Sequence, residues 1–143
     1  MRQRLAAAGL RGRAPPRLPL PPLDEVCAFL DVARSSFVGV QQAWDRADLA
    51  LLAMLTTEPL FDELRRQLAE RGAEPNHTEV LEVDARLLAL DELHQGCIAC
   101  VEFCGRVREQ PQAQPVPFRE LWMFARLQQA DARWRLARVQ ALC

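Results

Sequence analysis

Apolar residues recur at two different spacings along this chain, and the period changes near residue 75. From Val26 onward, Phe29, Leu30, Ala33, Phe37, Val40 and Trp44 follow at steps of three and four, the repeat of one helix face. The pattern predicts a helix of about five turns or more. Asp24 is placed as its N-cap and Glu25 in its first turn, where negative charge suits the helix dipole. Asp48 is expected to cap a short second helix through Met54. Thr57, Glu58 and Pro59 open a third, with Pro59 in the first turn, where a missing amide does no harm. Leu60, Phe61, Leu64 and Leu68 form its buried stripe, and Gly72 fits its C-terminal cap.

Beyond Pro75 the pattern alternates. Leu81, Val83, Ala85 and Leu87 are expected on one side of a strand, with Glu82, Asp84 and Arg86 on the other. Further strands are predicted at Ile98 to Glu109, Phe118 to Arg126 and Trp134 to Gln140. Their short connections favour antiparallel neighbours. A register pairing Phe103 with Trp122 puts Val101, Phe103 and Val107 on one face with Phe118, Trp122 and Phe124. Glu102, Arg106, Arg108 and Arg119 then occupy the wet face. Helices followed by antiparallel strands define an α+β class.

Composition adds an asymmetry to this picture. The chain has 143 residues, enough for one domain with a real core. Its net charge is −1, but residues 1–23 carry five arginines (Arg2, Arg4, Arg11, Arg13 and Arg17) and no acid, leaving 13 arginines against 19 acids in the remainder. With Pro15, Pro16, Pro19, Pro21 and Pro22 also present, residues 1–23 read as a flexible Arg/Pro-rich lead-in. The domain spans 24–140, and 141–143 form a tail. An acidic body argues against sequence-independent nucleic-acid binding by the domain itself, which needs a clustered basic face, while the arm could touch anionic lipid or RNA. No run approaches the roughly 18 to 20 apolar residues that cross a bilayer, and residues near Met1 provide no secretory h-region. The chain is therefore expected to be soluble or held at a membrane surface. Lysine and tyrosine are absent, and isoleucine and asparagine occur once each, which suggests a GC-rich bacterial genome. Five cysteines in a chain without an export signal read as reduced thiols.

The ordered string Phe29-Leu30, Ala33-Arg34, Phe37, Val40-Gln41, Ala43-Trp44-Asp45, Asp48 and Leu55-Thr56 resembles the opening of a known domain. It is that of mitochondrial inner-membrane translocase subunit forty-four and its bacterial relatives. Glu63-Leu64, Asn76-His77-Thr78-Glu79-Val80, Val101-Glu102-Phe103-Cys104-Gly105, Arg108-Glu109, Phe118-Arg119-Glu120-Leu121-Trp122 and Trp134-Arg135-Leu136-Ala137 continue it across residues 24–140. The resemblance implies a nuclear transport factor two-like cone, in which N-terminal helices pack on a curved four-stranded antiparallel sheet around an apolar pocket. It also implies a peripheral inner-membrane adaptor that contacts cardiolipin-rich membrane, an import channel, incoming polypeptide and a seventy-kilodalton heat-shock chaperone. Relatives commonly carry an upstream membrane anchor and a Gly-rich linker, and this sequence shows neither. Ala137-Arg138-Val139-Gln140-Ala141 departs from the family's final Ala-Gly-Ile-Gln-Gln, placing an arginine near the pocket mouth.

Three constellations carry candidate chemistry. His94, Cys97, Cys100 and Cys104 offer four soft ligands, but Cys100 and Cys104 lie roughly 13 Å apart on a strand and residues three apart face opposite sides. No metal or cofactor is expected there. Glu120 falls on the apolar face between Phe118 and Trp122, where a buried carboxylate could serve as the base of an isomerase or dehydratase. A structural acid paired with an arginine, Arg138 being the candidate, is the preferred reading. The favoured function is non-catalytic binding. The arm, through Arg2, Arg4, Arg11, Arg13 and Arg17 with Leu18, Leu20 and Leu23, would meet anionic phospholipid or a membrane protein. A pocket lined by Phe29, Phe37, Trp44, Phe103, Glu120 and Trp122 would take a ligand. The expected location is the bacterial cytoplasm or the cytoplasmic face of the inner membrane.

Overall fold

The helical spacing after Pro22 becomes a single long helix, α1 (Leu23–Arg46), in the computed structural model. The structure describes residues 8–9, 22–72, 76–127 and 133–142. Pro22 rather than Asp24 is the N-cap, so Asp24 and Glu25 both sit in the first turn, beside the unpaired amides that attract negative charge. At the other end Ala47 adopts a left-handed conformation, with φ 53°, and its N–H closes on the carbonyls of Ala43 and Trp44. Asp48 caps α2 (Leu49–Leu55) as expected, its Oδ1 accepting from Leu51 N at 3.1 Å. Thr57 precedes α3 (Glu58–Arg71), which carries Pro59 in its first turn and ends at Gly72.

Four long strands follow: β2 (Glu79–Leu93), β3 (Gly96–Arg108), β4 (Val116–Leu127) and β5 (Arg135–Ala141). Together with the two-residue β1 (Ala8–Gly9) they form one antiparallel sheet in the order β1-β5-β4-β3-β2. The lead-in therefore contributes a short pairing to β5, opposite Val139 and Arg138. The junction between α2 and α3 is hooked to the same strand, where Thr57 N donates to Leu136 O at 2.9 Å.

Phe103 pairs with Glu120, and Trp122 with Val101, two residues from the expected register. Because the side-chain period is two, an even slip keeps every side chain on its expected face. Val101, Phe103, Val107, Phe118, Trp122 and Phe124 are accordingly all buried in one core with Phe37, Val40 and Trp44 of α1. The other face holds the charged ladder: Arg119 gives two hydrogen bonds to Glu102, whose second oxygen takes Arg86 at 3.3 Å. Leu81 departs from expectation. The register shifts between Val80 and Glu82, so Leu81 is an extra residue in a β-bulge and turns outward, 37% exposed, while Val83, Ala85 and Leu87 pack inward. Gly105 allows this bulge: a Cβ there would overlap the carbonyl of Glu82 and lie 3.1 Å from Phe118 Cε1.

Candidate functional site

The residues expected around a pocket form packed core. Phe37 is fully buried, with ring centroids 4.8 Å from Phe103, 5.2 Å from Phe118 and 4.8 Å from Trp122. Aromatic contacts of this kind each add about 0.5–1.5 kcal/mol beyond area burial. Phe29 lies at the far end of the cluster, half-buried, edge-on to Phe124 and Trp134. Glu120 sits on the core face, fully buried, and its Oε1 accepts from Trp122 Nε1 at 2.9 Å. Arg138, its expected partner, pairs with Met123 in the register and so faces the opposite side, where Nη2 donates to Gln140 Oε1. Arg2, Arg4, Arg11, Arg13, Arg17, Leu18 and Leu20 lie outside the described residues, and Leu23 is 74% exposed at the start of α1.

The cysteine run is spread along β3 as period two requires. Cys97 lies opposite Arg126, 3.8 Å from Nη2, while Cys100 and Cys104 occupy the outer face. Burial pushes the Cys100 thiol above its ordinary value, against the pull of the nearby Arg138 guanidinium.

A groove of about 700 Å³ opens elsewhere, between the last turns of α1 and the start of β2. None of the six expected pocket residues lines it. Val38, Gln41, Gln42, Asp45 and Arg46 come from α1, at steps that make one helix face. Residues 76–83 come from the lead into β2, in unbroken succession. Two neighbours fix the helix end. Arg71, in the last turn of α3, donates to the Trp44 carbonyl at 2.8 Å and the Asp45 carbonyl at 3.3 Å, both in the last turn of α1, where carbonyls lack a full set of intrahelical donors. The Asp45 carboxylate then ties the strand to the helix, accepting from Asn76 Nδ2 and from Thr78 N, both at 2.6 Å.

Against this ordered frame, two side chains stand out. Gln41 is 1% exposed, and neither its Oε1 nor its Nε2 has a hydrogen-bond partner among the described residues. Thr78 is 8% exposed, and its Oγ1 is likewise without one. Burying such groups unpaired costs roughly 1–3 kcal/mol each, so a fold does not keep them without a reason. Sequence reasoning did not single these residues out as a site. The available signal was Gln41's position, one turn beyond Phe37 and directly after Val40, on an otherwise apolar stripe.

Three helices on one antiparallel sheet, with an aromatic core between them, define an α+β cone of the nuclear transport factor two-like kind. The chain belongs to the Tim44-like domain family, whose model matches residues 25–141. This is a family of membrane-associated binding and adaptor domains, peripheral to membranes. No helix among the described residues is long and apolar enough to cross a membrane. No curated protein matches the chain significantly.

Proposed function

We propose that this chain is a non-catalytic adaptor, peripheral to the cytoplasmic face of a bacterial inner membrane, that holds a lipid surface or a protein partner. The observation that carries the reading is the extent of the family match. Residues 25–141 run from the first turn of α1 to the end of β5, which supports reading the helices and the four long strands as one adaptor-type unit. Glu120, the acid with most claim to catalysis, supports the reading: it is fully buried, with one oxygen engaged by the Trp122 indole. Membrane contact falls to the lead-in, whose five arginines precede any acid and run toward the exposed Leu23. A basic residue at an anionic surface contributes about 1 kcal/mol, and the attraction fades within a Debye length.

Sedimentation with vesicles tests this directly. The full chain is expected to pellet with cardiolipin-containing vesicles at low salt and to stay in solution with neutral ones. A chain beginning at Leu23 is expected to lose most of that binding. Equal pelleting with neutral vesicles, or none with either kind, would remove the lipid surface from the reading.

A further inference from the structure

The groove between α1 and β2 presents an unusual set of groups to a ligand. Its acids are already engaged: Glu79 pairs with Arg108, Glu82 with Arg106, and Asp45 takes Asn76 and Thr78 N. The remaining wall charge, Arg46, offsets that of Asp45. The groups without a hydrogen-bond partner beneath it are buried and neutral, namely one primary amide with a donor and an acceptor, and one hydroxyl.

The second wall is a strand edge. Among the described residues β2 is the last strand of the sheet and pairs only with β3, so alternate residues direct backbone N–H and C=O groups away from the sheet. A groove lying over a sheet face would be lined by every second residue. This one is lined by residues 76 through 83 without a gap, as expected where the chain presents its edge. The bulge at Leu81 turns that edge and carries an exposed apolar side chain to the rim.

We propose that this groove binds an extended polypeptide segment of a partner protein, added as a strand along the edge of β2, with Gln41 pairing a backbone amide of the segment. A peptide group in extended conformation offers a neutral donor and acceptor to match a carboxamide, and strand addition is an established mode of peptide capture. At about 3.3 Å per residue, the strand from Glu79 to Val83 accommodates roughly five residues of peptide. The engaged acids leave no unpaired cationic cluster for an anionic headgroup, which separates this surface from the arginine lead-in. The Gln41 amide is shut from solvent in the protein without peptide, so engagement requires the walls of the groove to part where they cover it. Recognition through backbone groups makes the affinity modest and largely independent of sequence. The inference rests on the adaptor reading and specifies the form and the docking edge of its protein partner. It concerns a surface distinct from the one the vesicle experiment reads, so either can fail alone.

The experiment uses fluorescence anisotropy with the full chain and a fluorescein-labelled hexapeptide of alternating serine and valine. A second peptide, N-methylated at alternate backbone amides, serves as control. Saturable binding of the first is expected, weakened about tenfold or more by N-methylation and by Gln41→Leu, which each remove hydrogen bonds. The same substitution is expected to raise the thermal midpoint of the protein without peptide. In 15N-labelled wild-type protein, peptide should shift the amides of residues 78 to 83 and the side-chain amide of Gln41. Absence of binding, equal binding of the N-methylated peptide, or displacement by inorganic phosphate would overturn the proposal. So would shifts centred elsewhere, or a Gln41→Leu protein that binds normally and melts earlier, the sign of a glutamine bonded to water only.

Discussion

Phe37 and Gln41 lie one helical turn apart on α1, and both are buried, yet their surroundings are opposite in kind. Phe37 touches Phe103, Phe118 and Trp122, and the acid nearest this cluster, Glu120, has the Trp122 indole as a donor. Gln41 reaches the groove and finds no hydrogen-bond partner for either polar atom among the described residues. Phe37 therefore sits in closed aromatic packing, whereas Gln41 holds a cost beside an open groove, where a bound group could relieve it. The contrast teaches that burial of a polar side chain does not identify a site. An unmet side chain at the wall of a groove does.

The largest expected effect comes from breaking the aromatic core. Trp122→Ala removes a ring in contact with Phe37, Phe103 and Phe124, and takes the donor from Glu120. Cavity formation alone should cost about 3–5 kcal/mol, and loss of the indole hydrogen bond to the Glu120 carboxylate roughly 1–3 more. Urea denaturation measures the sum, and many molecules should be unfolded before denaturant is added. A loss under about 2 kcal/mol would mean that the aromatic cluster relaxes around the gap and is not the rigid half of the comparison.

Gly105→Ala tests how the aromatic core and the groove are joined. The added methyl meets the Glu82 carbonyl on one side and Phe118 on the other, so β2 must move off β3 where the bulge begins. Overpacking of this kind costs about 1–3 kcal/mol. Because the displaced segment is also the wall of the groove, peptide affinity should fall along with the urea midpoint. Loss of stability with undisturbed binding would show that the bulge shapes the sheet but not the groove.

Most of the fold could be read before the structure, because its signals are local and periodic. The helical stripe from Val26 to Trp44 and the alternation in β3 and β4 each specify a face without reference to any partner strand. Register and bulges are set by contacts between strands, and there the reading slipped. Phe103 meets Glu120 rather than Trp122, and Leu81 leaves the alternation that its neighbours keep. The expected pocket residues are assembled, but aromatic side chains of that size fill the space they were expected to surround. The groove was not legible at all, since it is made by Asp45 tying residues 31 to 33 positions away to the helix. Gln41, Asp45, Asn76 and Thr78 nevertheless fall within the stretches that carried the family resemblance, marked only as matches.

Thr78→Val makes the smallest change and the sharpest test of the groove. The substitution keeps the shape of the side chain and exchanges the Oγ1 hydroxyl for a methyl. It leaves the backbone N–H of residue 78 free to donate to Asp45 Oδ2 as before. In the aromatic core, deleting a hydrogen-bonding group should cost stability, as with the donor lost in Trp122→Ala. At Thr78 the hydroxyl has no partner among the described residues, so its removal should relieve desolvation and stabilise the protein by about 0.5–1 kcal/mol. Differential scanning calorimetry without peptide would show this as a midpoint a few degrees higher. A lower midpoint would mean that the fold meets this hydroxyl's needs after all, and the distinction between the aromatic core and the groove would rest on Gln41 alone.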